Sequence, residues 1–413
     1  MQRLKGKQAK RYGVPDAMAL LLILAAPIGY AFAVDAPAGY DNLTNGFEAQ
    51  AQMDLDRALF DEVEEIADGL GPVYNAQSCR ECHQNPVSGA GSQILETRAG
   101  STSGSTFTDH IGGSLINNRA INANIQERIL GTDNTSTFRI SLNILGDGFV
   151  EALPDTFFTG AQATQSAAGL NPGTIIRVPV GEAAAGTTAI GRFGWKNQHA
   201  SLISFAADAY LNEMGITSPL QPTENTHDGQ SVAAFDTVPD PEDAGTAADP
   251  QGTDVNAFAR FMRSTKVPPR DTTLAATSDA IAGATIFHNI GCDLCHIQNA
   301  TTAPAGTSLL GGKLIVSAAI GSKVIHPYSD FLLHDVGTGD GIVQNGGAVS
   351  RTKMRTPPLW GFRARNMVLH DGRFETRNFA IQDHFGDANP VIINYLNLSV
   401  TQANQLITFL NSL

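Results

Sequence analysis

The sequence predicts a mainly α fold with long loops. Apolar residues recur at helical spacing in residues 47–66, 199–215, 255–267, 278–291 and 399–413. Strand-like runs such as "GTIIRVPVG" are short, and the 41 glycines and 20 prolines among 413 residues predict many turns. We therefore expect helices that are joined by extended surface segments.

Two polar stretches interrupt the helical pattern. Residues 101–118 are rich in Ser, Thr and Gly, and we interpret them as a loop. Residues 236–255 are rich in Pro, Asp, Gly and Ala and lack an apolar period. The second stretch is typical of a linker or long surface loop, and it suggests that the chain divides near this point.

All four cysteines occur in two C-x-x-C-H sequences, "CRECH" (Cys79, Cys82, His83) and "CDLCH" (Cys292, Cys295, His296). Two thiols at this spacing can each form a thioether to a haem vinyl group, while the adjoining histidine binds the iron. A four-cysteine zinc site would join pairs that are far apart in the chain and leave both histidines idle. A disulfide within either pair would close a very short loop that stabilises little, and a redox dithiol needs no histidine.

The motifs therefore predict two covalently bound haem c groups, with His83 and His296 as axial ligands. Because small c-type haem domains cover a large flat cofactor with a few helices, we expect two cytochrome c-like haem domains. The predicted boundaries are residues 34–270, which include the linker, and residues 271–413.

The N-terminus has the pattern of an export signal. Five basic residues precede an apolar run, and Ala31-Phe32-Ala33 has the small-x-small form of a cleavage site. We interpret residues 1–33 as a cleaved signal peptide and the mature chain as periplasmic. The alternative is an uncleaved membrane anchor, for which the apolar run of about 16 residues falls short of the ~20 that span a bilayer.

The chain is acidic, with a formal net charge of −13. This charge argues against nucleic acid or anionic lipid as a partner. It favours a basic partner such as a small electron-donor protein of the cytochrome c or cupredoxin type, although acidity can also simply keep an exported protein in solution.

Several segments carry a family resemblance. The two C-x-x-C-H motifs, followed by "KMRTPPLWGFRARNMVLHDGR", resemble the bacterial di-haem cytochrome c peroxidase superfamily. The segments "GRFGWKNQHASLISFAADAYLNEMGITSP", "SDFLLHDVG" and "RTPPLWG" are most similar to its di-haem oxidoreductase branch, whose members are sometimes labelled thiol oxidoreductases. The resemblance extends from about residue 44 to residue 413.

The resemblance implies roles for two residues. Trp195 corresponds to a tryptophan that lies between the haems, and Glu213 in "EMG" to a glutamate that assists peroxide cleavage. A carboxylate beside the iron can take a proton from one peroxide oxygen and return it to the other. Glu151 is the rival acid; otherwise, Glu213 would be a solvated helix-end carboxylate and Trp195 a large core residue.

The resemblance also implies distal ligands. Met354 precedes "RTPP", where the second haem of the family often finds its ligand, so we assign it to the His296 iron, with Met367 as runner-up. His110 on a glycine-rich loop is the candidate for the His83 iron. The alternatives are an apolar filler for Met354 and a surface-loop histidine for His110.

Further candidates surround the cofactors. His334 and His370 match family motifs and are expected to line a haem pocket or contact propionates. Three arginines could bind propionates in a bidentate manner: Arg355, Arg363 and Arg373. Calcium between the domains is common in the peroxidases, and the acidic loops here offer many oxygen ligands, so the resemblance allows a calcium ion. No EF-hand loop is present, and no calcium ligand is assigned.

These observations support a periplasmic di-haem oxidoreductase. In the favoured interpretation the His296 haem accepts electrons and the His83 haem reacts with a small oxidant such as hydrogen peroxide. The alternatives are a non-catalytic electron-transfer cytochrome and a haem enzyme that oxidises a protein partner.

Overall fold

Helices and short strands alternate along the chain in the computed structural model, which describes residues 33–239, 244–344 and 346–413. Within these ranges the helices are α1 (Gln50–Asp61), α2 (Cys79–Cys82), α3 (Asp147–Glu151), α4 (Asp155–Ala167), α5 (Leu202–Met214), α6 (Thr253–Ser264), α7 (Thr272–Ala275), α8 (Ser278–Ile290), α9 (Arg377–Gln382), α10 (Asn389–Leu396) and α11 (Val400–Leu410). All five helices predicted from apolar spacing are therefore confirmed, as α1, α5, α6, α8 and α11.

The strands are mostly two or three residues long. They are β1 (Val34–Asp35), β2 (Val73–Tyr74), β3 (Leu95–Ser103), β4 (Thr106–Thr108), β5 (Leu115–Ile116), β6 (Arg119–Ala120), β7 (Thr135–Ile140), β8 (Arg177–Pro179), β9 (Thr188–Ile190), β10 (Ala300–Thr301), β11 (Ser308–Leu309), β12 (Leu314–Ile315), β13 (Lys323–Ile325), β14 (Leu333–His334) and β15 (Met354–Arg355). Helices make up about 33% of the residues and strands 15%, so helix exceeds strand but irregular segments account for the largest share.

The interpretation of residues 101–118 as a loop was wrong in part. The end of β3, all of β4 and all of β5 lie in this stretch, and β3 forms antiparallel pairs with β4, β5 and β7. Ser and Thr fit a half-exposed strand without producing apolar alternation. The hydrogen bonds that order β3 come mainly from β7, a partner that local sequence cannot reveal.

Two apolar clusters form most of the core. The larger contains buried residues from many parts of the chain, among them Phe149, Phe261 and Phe331. The smaller joins α8 to α11 and the C-terminus, and it includes Phe287 and Phe409. Residues 33–413 form one compact unit by internal contacts, and the division into haem domains at residue 270 stays a prediction.

Glycines set the positions of the helices beside the two motifs. Gly215 ends α5 in the left-handed region, with φ of 70°, and a Cβ at this position would lie 2.6 Å from the Val73 carbonyl oxygen. Gly283 lets α8 touch α11, because a Cβ there would overlap the Gln405 carbonyl. Only glycine fits such close approaches.

Two predictions fall partly outside the described residues. The predicted signal peptide lies there except for Ala33, as do residues 240–243 of the predicted linker. None of the helices in the described ranges combines the length and the apolar character that crossing a bilayer requires.

A buried ion pair anchors the larger cluster. Glu151 is fully buried, and its carboxylate accepts two hydrogen bonds from the Arg263 guanidinium, at 2.7 and 2.9 Å. It also accepts the Leu202 N–H at the start of α5, at 2.8 Å. These contacts join α3, α5 and α6. They also engage both oxygens of Glu151, the acid that was the alternative to Glu213.

Replacing Glu151 tests this anchor. In E151Q the Arg263 charge stays buried without its counter-charge, so we expect the free energy of unfolding to fall by about 3–5 kcal/mol. Urea unfolding of the haem-loaded protein measures the loss. D54N, which removes the exposed pair between Asp54 and Arg57, should cost less than ~1 kcal/mol; equal losses in both variants would contradict the anchoring role.

Candidate haem sites

The first motif forms a short helical turn. Ser78 caps α2 by accepting the Glu81 N–H at 3.1 Å, and the three-residue spacing brings the Cys79 and Cys82 side chains to the same face. The His83 imidazole is buried, which lowers its pKa to about 4, and the backbone of Ala90 and Leu142 lies within its reach. His83 is therefore neutral at physiological pH, the state in which an imidazole binds iron.

The second motif follows α8, which ends at Gly291 with φ of 95°. The His296 Nδ1 lies 3.0 Å from the Tyr328 carbonyl oxygen. Since a carbonyl only accepts, Nδ1 carries the proton and Nε2 keeps its lone pair. Burial lowers the pKa of His296 to about 4, so this histidine too has the form of a metal ligand.

A large apolar cavity adjoins the second motif, with about 1310 Å³ of empty space including its open mouth. Its wall contains all three motif residues, Cys292, Cys295 and His296. It also contains five other residues predicted from the sequence: Trp195, His334, Met354, Arg355 and His370. The cavity and the free Nε2 fit a covalently held haem, because they provide a large apolar cradle next to the attachment thiols.

Trp195 lies in the wall of this cavity and reaches towards the first motif. Its indole Nε1–H donates to the Ile140 carbonyl at 2.8 Å, and it packs with Met354 in a small apolar cluster. Two residues further along the chain, Leu142 has its backbone near the His83 imidazole. The segment 140–142 therefore contacts Trp195 at one end and His83 at the other.

Three arginines of the cavity wall have nitrogens without an acceptor among the described residues: Arg355 Nε, Arg365 Nη2 and Arg377 Nε. Burial lowers the pKa of Arg355 and Arg365 to about 10, which leaves both guanidinium groups charged at neutral pH. Guanidinium nitrogens that lack an acceptor and line an apolar cavity fit the two carboxylates of a haem.

Only one of the three predicted propionate ligands lines this cavity. Arg363 is exposed and donates to the Pro269 carbonyl, whereas Arg373 pairs with Asp371 and Asp383. Arg365 and Arg377 were missed, although Arg365 lies in "FRARNM", which is part of the family motif.

Histidines add further polar groups to the wall. Both ring nitrogens of His370 are buried without a partner, and burial lowers its pKa to about 4. Burial opposes the charge on His334, yet the Asp330 carboxylate 2.7 Å away raises the pKa to about 11. His384 was missed: its Nδ1 lies 2.7 Å from the Ala380 carbonyl, which leaves Nε2 as a possible ligand in the same cavity.

Glu213 lies beside the first motif as one of a pair of carboxyl groups. It hydrogen-bonds Glu96 and accepts from the Asn75 side chain at 3.0 Å, and its charge influences the Cys82 thiol. Burial and the Glu96 charge raise the pKa of Glu213 well above its usual value. Glu96 itself pairs with Arg98 at 2.6 Å, so the proton of the pair resides on Glu213.

The fold explains this placement. The Glu213 carbonyl accepts the N–H groups of Asn75 and Ala76, at 2.7 and 3.0 Å. The last turn of α5 is thus fixed to the chain that leads directly into the first motif.

His110 lies on the loop after β4, where its Nε2 is 2.6 Å from an oxygen of Asp133. Its ring also packs against that of His227, with centroids 3.9 Å apart. Its predicted role as a distal haem ligand stays a prediction, whereas these contacts suggest a different role.

Residues 116–413 match the family model described as "Di-haem oxidoreductase, putative peroxidase". Among solved structures, the chain is similar to hydrazine synthase of Kuenenia stuttgartiensis, with 13% identity, a TM-score of 0.42 and coverage of 97% of this chain and 100% of that chain. It is also similar to the diheme peroxidase BthA of Burkholderia thailandensis, with 13% identity, a TM-score of 0.42 and coverage of 93% and 92%.

A MauG-like protein associated with microbial copper homeostasis shows 15% identity, a TM-score of 0.40 and 93% coverage of both chains. The comparison with curated proteins finds no significant match. The structural likenesses are distant, so the family match is the finding that identifies this chain, and it confirms the resemblance seen in the sequence.

The sixth ligand of the His296 iron can be tested by substitution. Since methionine ligation raises a haem potential, M354L should lower one of the two potentials by on the order of 0.1 V, within the ~0.8 V that axial ligands span. Spectroelectrochemical titration measures the shift. M367L and H384A serve as matched controls: a fall in M367L, or a shift of either sign in H384A, with none in M354L would assign the ligand to that residue instead.

Proposed function

The chain belongs to the di-haem oxidoreductase family, and we propose that it is a periplasmic peroxidase-like enzyme with two haem c groups. Cys79 and Cys82 would attach the first haem, with His83 as its axial ligand. Cys292 and Cys295 would attach the second, with His296 as its axial ligand. Bound haem iron supplies an electron-transfer centre and, where its sixth position is open, a binding position for a small oxidant.

The carboxyl pair of Glu213 and Glu96 is the observation that carries this proposal. Reduction of a peroxide to water consumes protons, which must be held next to the reacting oxygens. Burial and the Glu96 charge raise the pKa of Glu213 well above its usual value, which favours its protonated form. A protein that only relays electrons has no need of a shared proton beside a haem attachment site.

Arg98 stabilises the ionised form of Glu96, so that Glu96 and Glu213 can share a proton and need not repel each other. Its guanidinium neutralises Glu96 at 2.6 Å, so that Glu96 stays ionised and accepts the proton of Glu213. Giving up this proton to the substrate leaves two carboxylates side by side. The resulting repulsion favours the return of a proton, which suits a group that both donates and accepts.

Electrons would pass from the second haem towards the first through the Trp195 region. Trp195 lines the second cavity, and its hydrogen bond to Ile140 connects it with the segment that contacts His83. In this proposal Met354 would ligate the second iron, and the electron donor would be a small basic protein. Arg355, Arg365 and Arg377 would bind its propionates.

The enzyme assignment is tested with E213Q. General acid–base catalysis contributes ~10²–10⁴-fold, so turnover of hydrogen peroxide by the half-reduced, haem-loaded protein should fall at least about 100-fold. The haem spectra and potentials should not change. E62Q removes an exposed carboxyl from the end of α1 and should keep full activity. Wild-type protein with two low-spin haems that are inert to peroxide would instead indicate an electron relay.

The carboxyl pair also predicts a pH shift. Glu96 raises the pKa of Glu213 by its charge, and in E96Q the freed Arg98 would lower that pKa further. The ionisation of Glu213 in the pH profile of kcat/KM should therefore move to lower pH, by about one unit or more. An unchanged profile would show that Glu96 and Glu213 do not share a proton.

A further inference from the structure

Three side chains from separate loops converge next to the β3 sheet. His110 follows β4, Asp133 precedes β7, and His227 follows α5. One donor atom from each lies within 4.8 Å of the other two. Side-chain exposure is 16% for His110, 0% for Asp133 and 1% for His227, so the group is closed to solvent except on the His110 side.

The orientation of His227 is that of a metal ligand. Its Nδ1 lies 2.9 Å from the Gly113 carbonyl oxygen, so Nδ1 carries a proton and donates it. Its buried Nε2 has no hydrogen-bond partner and faces an oxygen of Asp133 at 3.7 Å. A lone pair that faces a carboxylate at this distance is unfavourable unless a cation or a second proton lies between them. A backbone carbonyl that orients the far nitrogen is typical of metal-binding histidines.

The surrounding backbone fixes this geometry in advance. Asp133 also accepts the Leu130 N–H at 2.8 Å, and the Glu127 carboxylate accepts the His227 N–H at 2.6 Å. Gly112 touches the backbone at Thr226 so closely that a Cβ would overlap the Thr226 carbonyl. Hydrogen bonds from the backbone therefore hold the loops that carry Asp133 and His227 in place before any metal binds.

We propose that His110, Asp133 and His227 bind one divalent first-row transition-metal ion, separate from both haems. Two imidazoles and one carboxylate form a donor set that zinc and non-haem ferrous iron both accept, with water completing the coordination. Metal bonds of about 2.0–2.2 Å in a tetrahedral site place donor atoms roughly 3.3 Å apart. The separations are 2.6 Å from His110 Nε2 to Asp133 Oδ1 and 3.7 Å from His227 Nε2 to Asp133 Oδ2, on either side of this value.

This assignment gives His110 a non-haem role. It also explains why an otherwise polar, glycine-rich loop is held in place. The ion would tie the loop after β4 to the loop after α5, whose Asn225 donates to Asn212 beside Glu213. On the other side, Ser114 contacts Arg98 at 3.4 Å. The site therefore supports both ends of the Glu96–Glu213 pair without contacting either carboxyl group.

The test is metal analysis of the full, haem-loaded chain. After dialysis against a chelator, titration with Zn²⁺ in a calorimeter should show one saturable site per chain, and elemental analysis should find one non-haem metal. D133N and H227A should weaken Zn²⁺ binding at least 100-fold, and H110A should do so without changing the haem spectra. H288A is the matched control, because it removes an exposed histidine that pairs with Asp293, and it should bind as the wild type does.

Other outcomes would overturn the proposal. The wild-type titration decides the matter even if a buried variant fails to fold: absence of saturable Zn²⁺ and Fe²⁺ binding would mean that the three side chains hold one another without a metal. Binding that H288A loses, or that D133N, H227A and H110A all keep, would place the metal elsewhere. A changed haem spectrum in H110A, without loss of metal, would return His110 to the role of a haem ligand.

Discussion

The Asp340 carboxylate is the centre on which the arrangement of the sites depends. It is fully buried and binds two cations, Arg139 at 2.6 Å and Lys196 at 2.8 Å. Burial opposes this charge, but the two cations hold the pKa of Asp340 below its usual range. Two cations and one carboxylate leave an excess of one positive charge. Backbone carbonyls solvate it: Lys196 also donates to the carbonyls of Ser350 and Lys353, both at 2.7 Å. A buried charge needs such complete hydrogen bonding to be tolerated.

Each of the two cations that bind Asp340 lies next to residues of a candidate site. Lys196 follows Trp195 directly, and the carbonyls that it binds lie just before Met354, so one ammonium group sets two residues of the cavity wall. Arg139 pairs across the sheet with Glu96, the neighbour of Glu213. The same ionic centre thus supports the second cavity and the carboxyl pair beside the first motif, and β7 is the rigid connection between them.

Many candidate site residues could be predicted from the sequence, but the residues that lie next to each of them in space could not. Trp195, Met354, Arg355 and His370 were chosen singly, and all four line one cavity. Arg365, Arg377 and His384 line it too, yet nothing in their local sequence distinguishes a buried arginine or histidine from an exposed one. Residues 101–118 were taken as loop because β7, which orders β3, lies more than 30 residues further along the chain.

By itself, the sequence determined the features that depend on residues close together along the chain. The C-x-x-C-H motifs predict thioether attachment and an axial histidine within five residues, and apolar periodicity predicted the main helices. Only the tertiary structure decided that Glu213 meets Glu96, which guanidinium nitrogens lack an acceptor, and that His110 meets Asp133 and His227. Hydrogen bonds and metal bonds act over about 2–3 Å, and which distant residues come that close is set by packing.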